Sequence, residues 1–573
     1  MPTITIFKQD LEALLTADSA DAPSLTVDQL EESLMLVKGE LKGHNAETGE
    51  LRVELQDSNR PDLWCCEGIA RQIRTKRTGR PPRYDFLSLR DDPKKRVVVS
   101  PGLEAIRPYV AACAAIGYRV TDHGLTQLIQ TQEKLADIFG RKRRTVSIGL
   151  YRLQAIEFPV NYAAVNLESA RFTPLGMDTV MTLAEILLVH PKGLEFGGLL
   201  SGHDKAPLLT DAKGRVLSFP PIINSREVGE VRIGDDALFI EVTGTDLPMV
   251  VLTLNILAAN FTDRGATIEP VQVLYPWKTE LGDHVTTPRD LGEDRSVPLA
   301  TIQQALGQAL DGEEVTQALT TYGYTATLAK DQIIVRPPIY RHDFMHAMDV
   351  VEDVAISRGF QEFLPVMPSQ FTVGGLSPIE TLSDRVRDLL VGMGFQEIVS
   401  NILSSPHLLS DAMRLSETDW GRVVEIENVM SQNFSALRQW MIPSLLRVEA
   451  ASSRAFYPHR LFEAGEVAIP DSAHILGSRT MIVAAAMIAH ADAHFSEMHS
   501  CLDALFYYLD RRYRLEPIQH PSFLEGRAGR VVLEGGPALG VIGEIHPEVL
   551  ERWQITVPVV AFEVDLTTLE GKK

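Results

Sequence analysis

The longest uninterrupted apolar run in this 573-residue chain is MIVAAAMIA at 481–489. That is about half the ~18–20 residues a membrane-spanning helix needs, so the run reads as a buried strand. A long chain whose apolar residues come in short runs must divide its burial among several cores, about three to five at the usual domain size. The first residues, MPTITIFKQDLEALL, lack a basic segment followed by an apolar one and do not read as a secretory leader. Cys65, Cys66, Cys113 and Cys501 form no CxxC pair and read as reduced thiols of a cytosolic protein.

Pattern changes along the chain mark four spans. Residues 1–90 read as a small α/β unit, with TITIF and LRVELQ as strands, LTVDQLEESLMLV as a helix and PDLWCCEGIARQIR as a helix opening on Pro61. The Gly-, Pro- and Arg-rich stretch RTGRPPRYDF marks its end. Residues 91–275 read as an α+β domain. Here the helical pattern LTQLIQTQEKLADIFG stops at Gly140, and the capping box of Thr182 and Glu185 starts a helix that ends before Pro191. Residues 276–365 carry helices and a small strand element, with a helix from about Phe344, which suggests a winged-helix-like module. Residues 371–573 alternate strands with long helices, the pattern of an antiparallel sheet backed by helices.

The net charge of −21 excludes a protein that coats nucleic acid nonspecifically. The cations are nevertheless clumped. Arg71, Arg74, Lys76, Arg77, Arg80 and Arg83 form one group, and Arg141, Lys142, Arg143 and Arg144 another. Solvated loops and RNA contacts both fit these groups.

Three constellations bear on chemistry. In RHDFMHAMDVVED, Asp349, Glu352 and Asp353 fall on one arc of a helix, and Asp343 stands where a carboxylate caps it. Oxygen ligands of this kind suit Mg²⁺, while a cap plus a solvated acidic face accounts for the same spacing. In the second, PPIINS and EVTGTD place Asn224, Ser225, Glu241, Thr243 and Asp246 at strand ends. There they line a pocket that reads a hydroxyl, or simply make turns. In the third, His490, His494, His499 and Cys501 lie close in sequence without a zinc-site pattern. The glycines of GGPALGVIG lead from strand to strand and read as a hairpin turn rather than a phosphate loop.

Taken together these phrases resemble the beta chain of phenylalanyl-tRNA synthetase, in its short archaeal form. NRPDL at 59–63 and EGIAR at 67–71 resemble one family signature. GRKRRTVSIGLY, PLGMD, HPKG, PPIINS and VTGTD follow in order. YRHDFMHAMDVVEDVAISRGF is similar almost letter for letter to another family stretch, and LRQWMIPSLL, RLFEAGEV, HPSFLEGRA and GVIGEIHPEVL complete the series. The resemblance implies that 91–275 is an editing-type (B3/B4-like) domain and that 276–365 is a B5-like module. It implies that 371–573 is a class II synthetase-like module without an active site, since Arg460-Leu461-Phe462-Glu463 resembles motif two but no motif-three arginine follows. It further implies Mg²⁺ held by Asp343, Asp349, Glu352 and Asp353. The implied partner is an alpha subunit that binds ATP and activates phenylalanine, in a cytoplasmic tetramer of two alpha and two beta chains acting on tRNA-Phe. Hydrolytic editing of mischarged Tyr-tRNA-Phe is implied in the second domain, with Ser225 and Asp246 as first candidates and Asn224, Glu241 and Thr243 behind them. A free-standing editing hydrolase and a non-catalytic tRNA-binding scaffold are the alternatives.

Overall fold

Alternation in TITIF and LRVELQ produces the expected strands. In the computed structural model, which describes residues 2–16, 25–88, 95–416, 423–452 and 454–570, Thr3–Phe7 pairs antiparallel with Glu50–Leu55, which pairs in turn with Gly39–Asn45. Ile4 and Ile6 point inward and are buried. Helix Val27–Leu34 opens on a capping box of Thr26 and Gln29, which satisfies backbone donors the helix itself leaves open.

The helix expected from Pro61 begins later. Pro61–Leu63 is a single 3₁₀ turn, and the α-helix is Cys66–Thr78. Arg60 bonds Asp62 through Nε at 2.8 Å in a buried pair, which holds the chain in a turn. The Cys65 sulfur accepts from the Gly68 amide at 3.4 Å and caps the helix. Gly68 is required, because a Cβ there would overlap the Asp62 carbonyl.

The chain divides into two units, 1–366 and 367–573. The central sheet of the first has ten strands. Its order is Ile223–Asn224, Val216–Phe219, Lys205–Thr210, Val160–Asn166, Arg96–Val99, Thr267–Thr279, Tyr109–Ile116, Ala237–Gly244 and Val146–Arg152, with Gly282–Thr287 paired to Thr267–Thr279. Thr267–Thr279 pairs Arg96–Val99 with its later residues and Tyr109–Ile116 with its earlier ones, joining the two halves. Helix Leu247–Asp263 packs on Tyr109–Ile116 and Ala237–Gly244 and is buried along nearly its whole length. Each fully buried Leu or Ile there stabilises by roughly 1.5–3 kcal/mol. The boundary expected at 275/276 falls inside strand Thr267–Thr279, and the one at 90/91 lies outside the described residues. A three-stranded sheet of Arg295–Pro298, Gln332–Arg336 and Thr325–Ala329 follows, with helices Leu299–Leu306, Gly312–Thr321 and Ala347–Arg358.

The second unit is built on a seven-stranded sheet. Its order is Gln396–Glu397, His459–Pro470, Ser478–Ala489, Val559–Asp565, Ala538–Ile545, Phe523–Leu533 and Tyr513–Pro517. All pairs are antiparallel except the first. MIVAAAMIA lies in the strand Ser478–Ala489, and its alternate residues feed apolar cores on opposite faces of the sheet. Gly535, at φ +68°, turns the hairpin between Phe523–Leu533 and Ala538–Ile545.

Candidate functional site

The two ends of the ten-stranded order both line one cavity of about 340 Å³. Ser218–Asn224 come from one end, Ser147, Ile148 and Leu150 from the other, and Leu125, Leu128 and Ile129 from helix Asp122–Lys134. The volume is at the small end of the range for ligand pockets, and the lining is mostly apolar, as ligand pockets are.

The buried carboxyl at its wall is Glu241. The residue is 2% exposed. Its Oε1 accepts from the Tyr151 hydroxyl at 2.8 Å, while Oε2 is buried without a hydrogen-bond partner. Burial pushes its carboxyl up to about 7, against the opposing effects of Tyr151 and Arg107. A buried carboxyl with one unmet oxygen beside apolar walls is poised to bond a hydroxyl: ionised it accepts, protonated it also donates. Glu241 and Gly149 are direct cross-strand partners.

Arg107 braces the wall behind. It is buried, and its guanidinium donates to Thr243 Oγ1 (3.0 Å), Thr243 O (2.6 Å), Ser147 Oγ (3.1 Å), Arg143 O (3.1 Å) and Arg144 O (3.3 Å). Burial lowers its pKa to about 10. Helix Asp122–Lys134 runs on into a π turn, Leu135–Phe139, and the chain then reverses through Arg141, Lys142 and Arg143 at φ 49°, 55° and 62°. Left-handed backbone costs a non-glycine residue about 1–2 kcal/mol, and strain of this kind clusters at functional sites.

Of the five expected residues, Asn224 and Glu241 line the cavity. Ser225 is buried beside it in a turn, its Oγ accepting from the Val228 amide at 3.4 Å. Thr243 is held by Arg107 and Ser147. Asp246 is exposed and caps helix Leu247–Asp263, accepting from the Met249 amide at 3.0 Å. Sequence reasoning missed Tyr151, Ser147, Ser218 and Arg107. Tyr151 lay inside a quoted phrase, and strand alternation places it two residues from Gly149, which faces Glu241.

The acidic stretch is arranged otherwise than expected. The helix is Ala347–Arg358, capped by His346 rather than Asp343. Asp343 is instead drawn to Arg341, bonded at 2.9 and 2.5 Å. Burial opposes its charge, but Arg341 overrides burial and holds it below the usual carboxylate range. Asp353 also bonds Arg341, at 2.7 Å, and accepts from Tyr324; burial prevails there and raises its pKa. Asp349 accepts from the amides of Met345 (2.8 Å) and His346 (2.6 Å). Glu352 pairs with Lys38 at 2.5 Å. Among the described residues no three His, Cys, Asp or Glu side chains are placed to hold a metal ion. The four carboxylates as placed do not fit a Mg²⁺ cage, because cations and amides already satisfy them.

In the second unit Arg460, the motif-two-like arginine, bonds Glu497 at 2.8 Å, and His490 bonds the other oxygen of Glu497 at 2.8 Å. Among the described residues no helix is long and apolar enough to cross a membrane.

Comparison with known proteins adds the following. Residues 295–360 match the family "tRNA synthetase B5 domain", and 360–566 match "Phenylalanyl tRNA synthetase beta chain CLM domain". The phenylalanine–tRNA ligase beta subunit of Treponema pallidum is 40% identical over 528 residues, covering 91% of this chain and 86% of that protein. That of Borreliella burgdorferi strain ZS7 is 36% identical over 577 residues, covering 100% of both. The crystal structure of an N-terminal fragment of the phenylalanyl-tRNA synthetase beta subunit from Pyrococcus horikoshii superposes with a TM-score of 0.58 at 34% identity, covering 62% of this chain and 99% of the fragment. The likeness to the archaeal fragment covers 62% of this chain, while the two relatives matched over nearly the whole chain are bacterial. Identity over whole chains, with both segment matches in order, places this chain in the phenylalanine–tRNA ligase beta-subunit family.

Proposed function

We propose that the chain is the beta subunit of a ligase that attaches phenylalanine to tRNA-Phe, and that its own chemistry is hydrolytic editing of tyrosine esterified to that tRNA. ATP and phenylalanine are handled by an alpha partner, in an assembly of two alpha and two beta chains; the whole-chain likeness to beta subunits of phenylalanine–tRNA ligases supports this division of labour. The relatives that match over nearly the whole chain are bacterial, so an archaeal origin is no part of this reading. Mg²⁺ enters no step of this reading.

The observation that carries the editing reading is that Glu241, a lining residue of an apolar cavity, is buried with its Oε2 lacking any hydrogen-bond partner in the protein. A synthetic pocket shaped for phenylalanine discriminates poorly against an isostere that adds one hydroxyl, by roughly a hundredfold. The Glu241 cavity inverts that preference. The tyrosyl ring fills the apolar space and its hydroxyl bonds the carboxyl, whereas a phenylalanyl ring leaves the buried Oε2 unpaired, at a cost of about 1–3 kcal/mol. Water then adds to the ester carbonyl, the bond to the ribose oxygen breaks, and the ribose oxygen leaves with a proton.

The test is deacylation of Tyr-tRNA-Phe and Phe-tRNA-Phe by the complex with its alpha subunit. Wild type should hydrolyse the tyrosyl ester at least tenfold faster, and Glu241→Ala should erase the preference. Equal rates for both esters in wild type would sink the reading.

A further inference from the structure

The turn after the π segment is built on both sides and still leaves three cations outward. Inside, the Arg143 guanidinium donates to the carbonyls of Pro221 (3.0 Å) and Ile222 (2.8 Å) and lies 4.3 Å from the centre of the Phe196 ring. Beneath, Arg107 bonds the Arg143 and Arg144 carbonyls. The amides of Lys142 and Arg143 are bonded back to Asp137 (2.7 Å) and Ala136 (2.8 Å). Ala136 and Arg143 line the cavity, so the turn sits at its edge. Arg141, Lys142 and Arg144 are exposed, and among the described residues none of them makes an ion pair.

Two features set this apart from a solvated loop. Three successive basic residues take the left-handed backbone that glycine adopts without strain. Three uncompensated cations also stand together on a chain of net charge −21, whose body repels polyanions. In the other basic group Arg71 and Arg74 pair with Asp263, and Lys76 bonds Thr321 and Ser357, while the exposed Arg77, Arg80 and Arg83 belong to a segment that does not line this cavity.

We propose that Arg141, Lys142 and Arg144 grip the phosphodiester backbone of a single-stranded RNA end and hold its esterified terminus over the Glu241 cavity. This rests on the editing reading for the identity of the cargo, but the RNA contact is testable without it. Phosphate contacts fix position and register rather than sequence. The turn therefore governs binding and leaves the discrimination between side chains to Glu241.

The probe is a fluorescein-labelled single-stranded RNA with the sequence of the tRNA acceptor end, titrated with the full chain across a range of KCl concentrations. Combining Arg141→Ala, Lys142→Ala and Arg144→Ala should weaken binding at least tenfold at low salt. It should also flatten the dependence of log affinity on log salt by about 2, the value for three phosphate contacts on a single strand. In deacylation by the complex the triple variant should raise KM and leave kcat within about twofold. Arg77→Ala with Arg80→Ala and Arg83→Ala serves as the control and should leave oligonucleotide binding unchanged. Lys142→Gly separates binding from folding: it removes a cation and the strain together, so it should raise Tm by about 2 °C while weakening binding. Wild-type affinity and salt slope in the triple variant overturn the proposal, and so does a loss confined to kcat. A wild type that hydrolyses no tyrosyl ester, with oligonucleotide binding still lost in the triple variant, overturns the editing reading and upholds the RNA contact.

Discussion

Tyr151 donates to Glu241 at 2.8 Å in space left open by Gly149, which stands opposite Glu241 on the neighbouring strand. A Cβ at Gly149 would overlap both the tyrosine hydroxyl and the carboxylate oxygen. Gly149→Ala should therefore displace the pair without touching the cavity's apolar walls. We expect a loss of about 1–3 kcal/mol in stability, the usual cost of overpacking, and at least a tenfold fall in tyrosyl-ester hydrolysis. Denaturant melts and deacylation assays report the two effects separately. Wild-type hydrolysis in this variant would show that the Tyr151–Glu241 geometry is not used.

The same carboxyl predicts a pH dependence. Glu241 is raised by burial from 4.5 to about 7, so the folded state binds its proton more tightly than the unfolded chain does. Its contribution to stability is fully present below the unfolded pKa of about 4.5 and is lost as pH rises through 7. Glu563 is raised to about 7 by burial as well and acts in the same direction. Glu241→Gln removes one of the two. It should be more stable than wild type at pH 8, by on the order of 2–3 kcal/mol, with the difference shrinking toward pH 5. Urea midpoints at the two pH values measure this, and a constant difference would place the carboxyl in water.

The signature EGIAR predicts a joint. Arg71 bonds Asp263 at 2.6 Å and Asn260 at 2.6 Å, and Arg74 bonds Asp263 at 2.9 Å. Glu67 pairs with Arg264, which also bonds Asp10. The conspicuous charges of the motif thus tie helix Cys66–Thr78 to the end of helix Leu247–Asp263. Asp263→Ala strips the carboxylate from a buried arginine and should cost about 3–5 kcal/mol. Hydrolysis measured well below the melting transition should change less than twofold.

Local signals were legible where they are local in origin. The Thr182–Glu185 capping box, the hairpin at Gly535 and the alternation of TITIF and MIVAAAMIA all follow from a few adjacent residues, and the structure has them. The site was half legible. Glu241 and Asn224 sat in phrases singled out for their polar residues, yet Asp246 ranked above them, because sequence gives no burial. Asp246 falls at the first exposed turn after a buried strand and caps a helix, while Glu241 lies two strand positions before Thr243 on a fully buried segment. Arg107 was invisible for a related reason. Its partners Thr243, Ser147 and Arg143 are 136, 40 and 36 residues away, and no periodicity spans such distances. The helix start at Ala347 rather than Phe344 reflects Arg341, whose bonds to Asp343 and Asp353 hold the preceding segment out of helical conformation.

That arginine sets the terms for any divalent cation at the acidic stretch. Asp343 and Asp353 are bonded to Arg341, and Glu352 is bonded to Lys38, which also holds Asp57 at 3.0 Å. Mg²⁺ prefers near-octahedral oxygen coordination and gives up water reluctantly, so it has to displace these cations to collect carboxylates. In wild type we expect 1 mM Mg²⁺ to raise Tm no more than an equal ionic strength of KCl does. Lys38→Ala releases Glu352 and removes a competing positive charge, so its Tm should rise measurably with Mg²⁺, following the logarithm of concentration above Kd. Differential scanning calorimetry of both proteins over a Mg²⁺ series decides the matter. Wild type stabilised by micromolar Mg²⁺ would mean that the four carboxylates converge in solution and that Arg341 releases two of them; no response in either protein would mean that the stretch is an ion-paired joint alone.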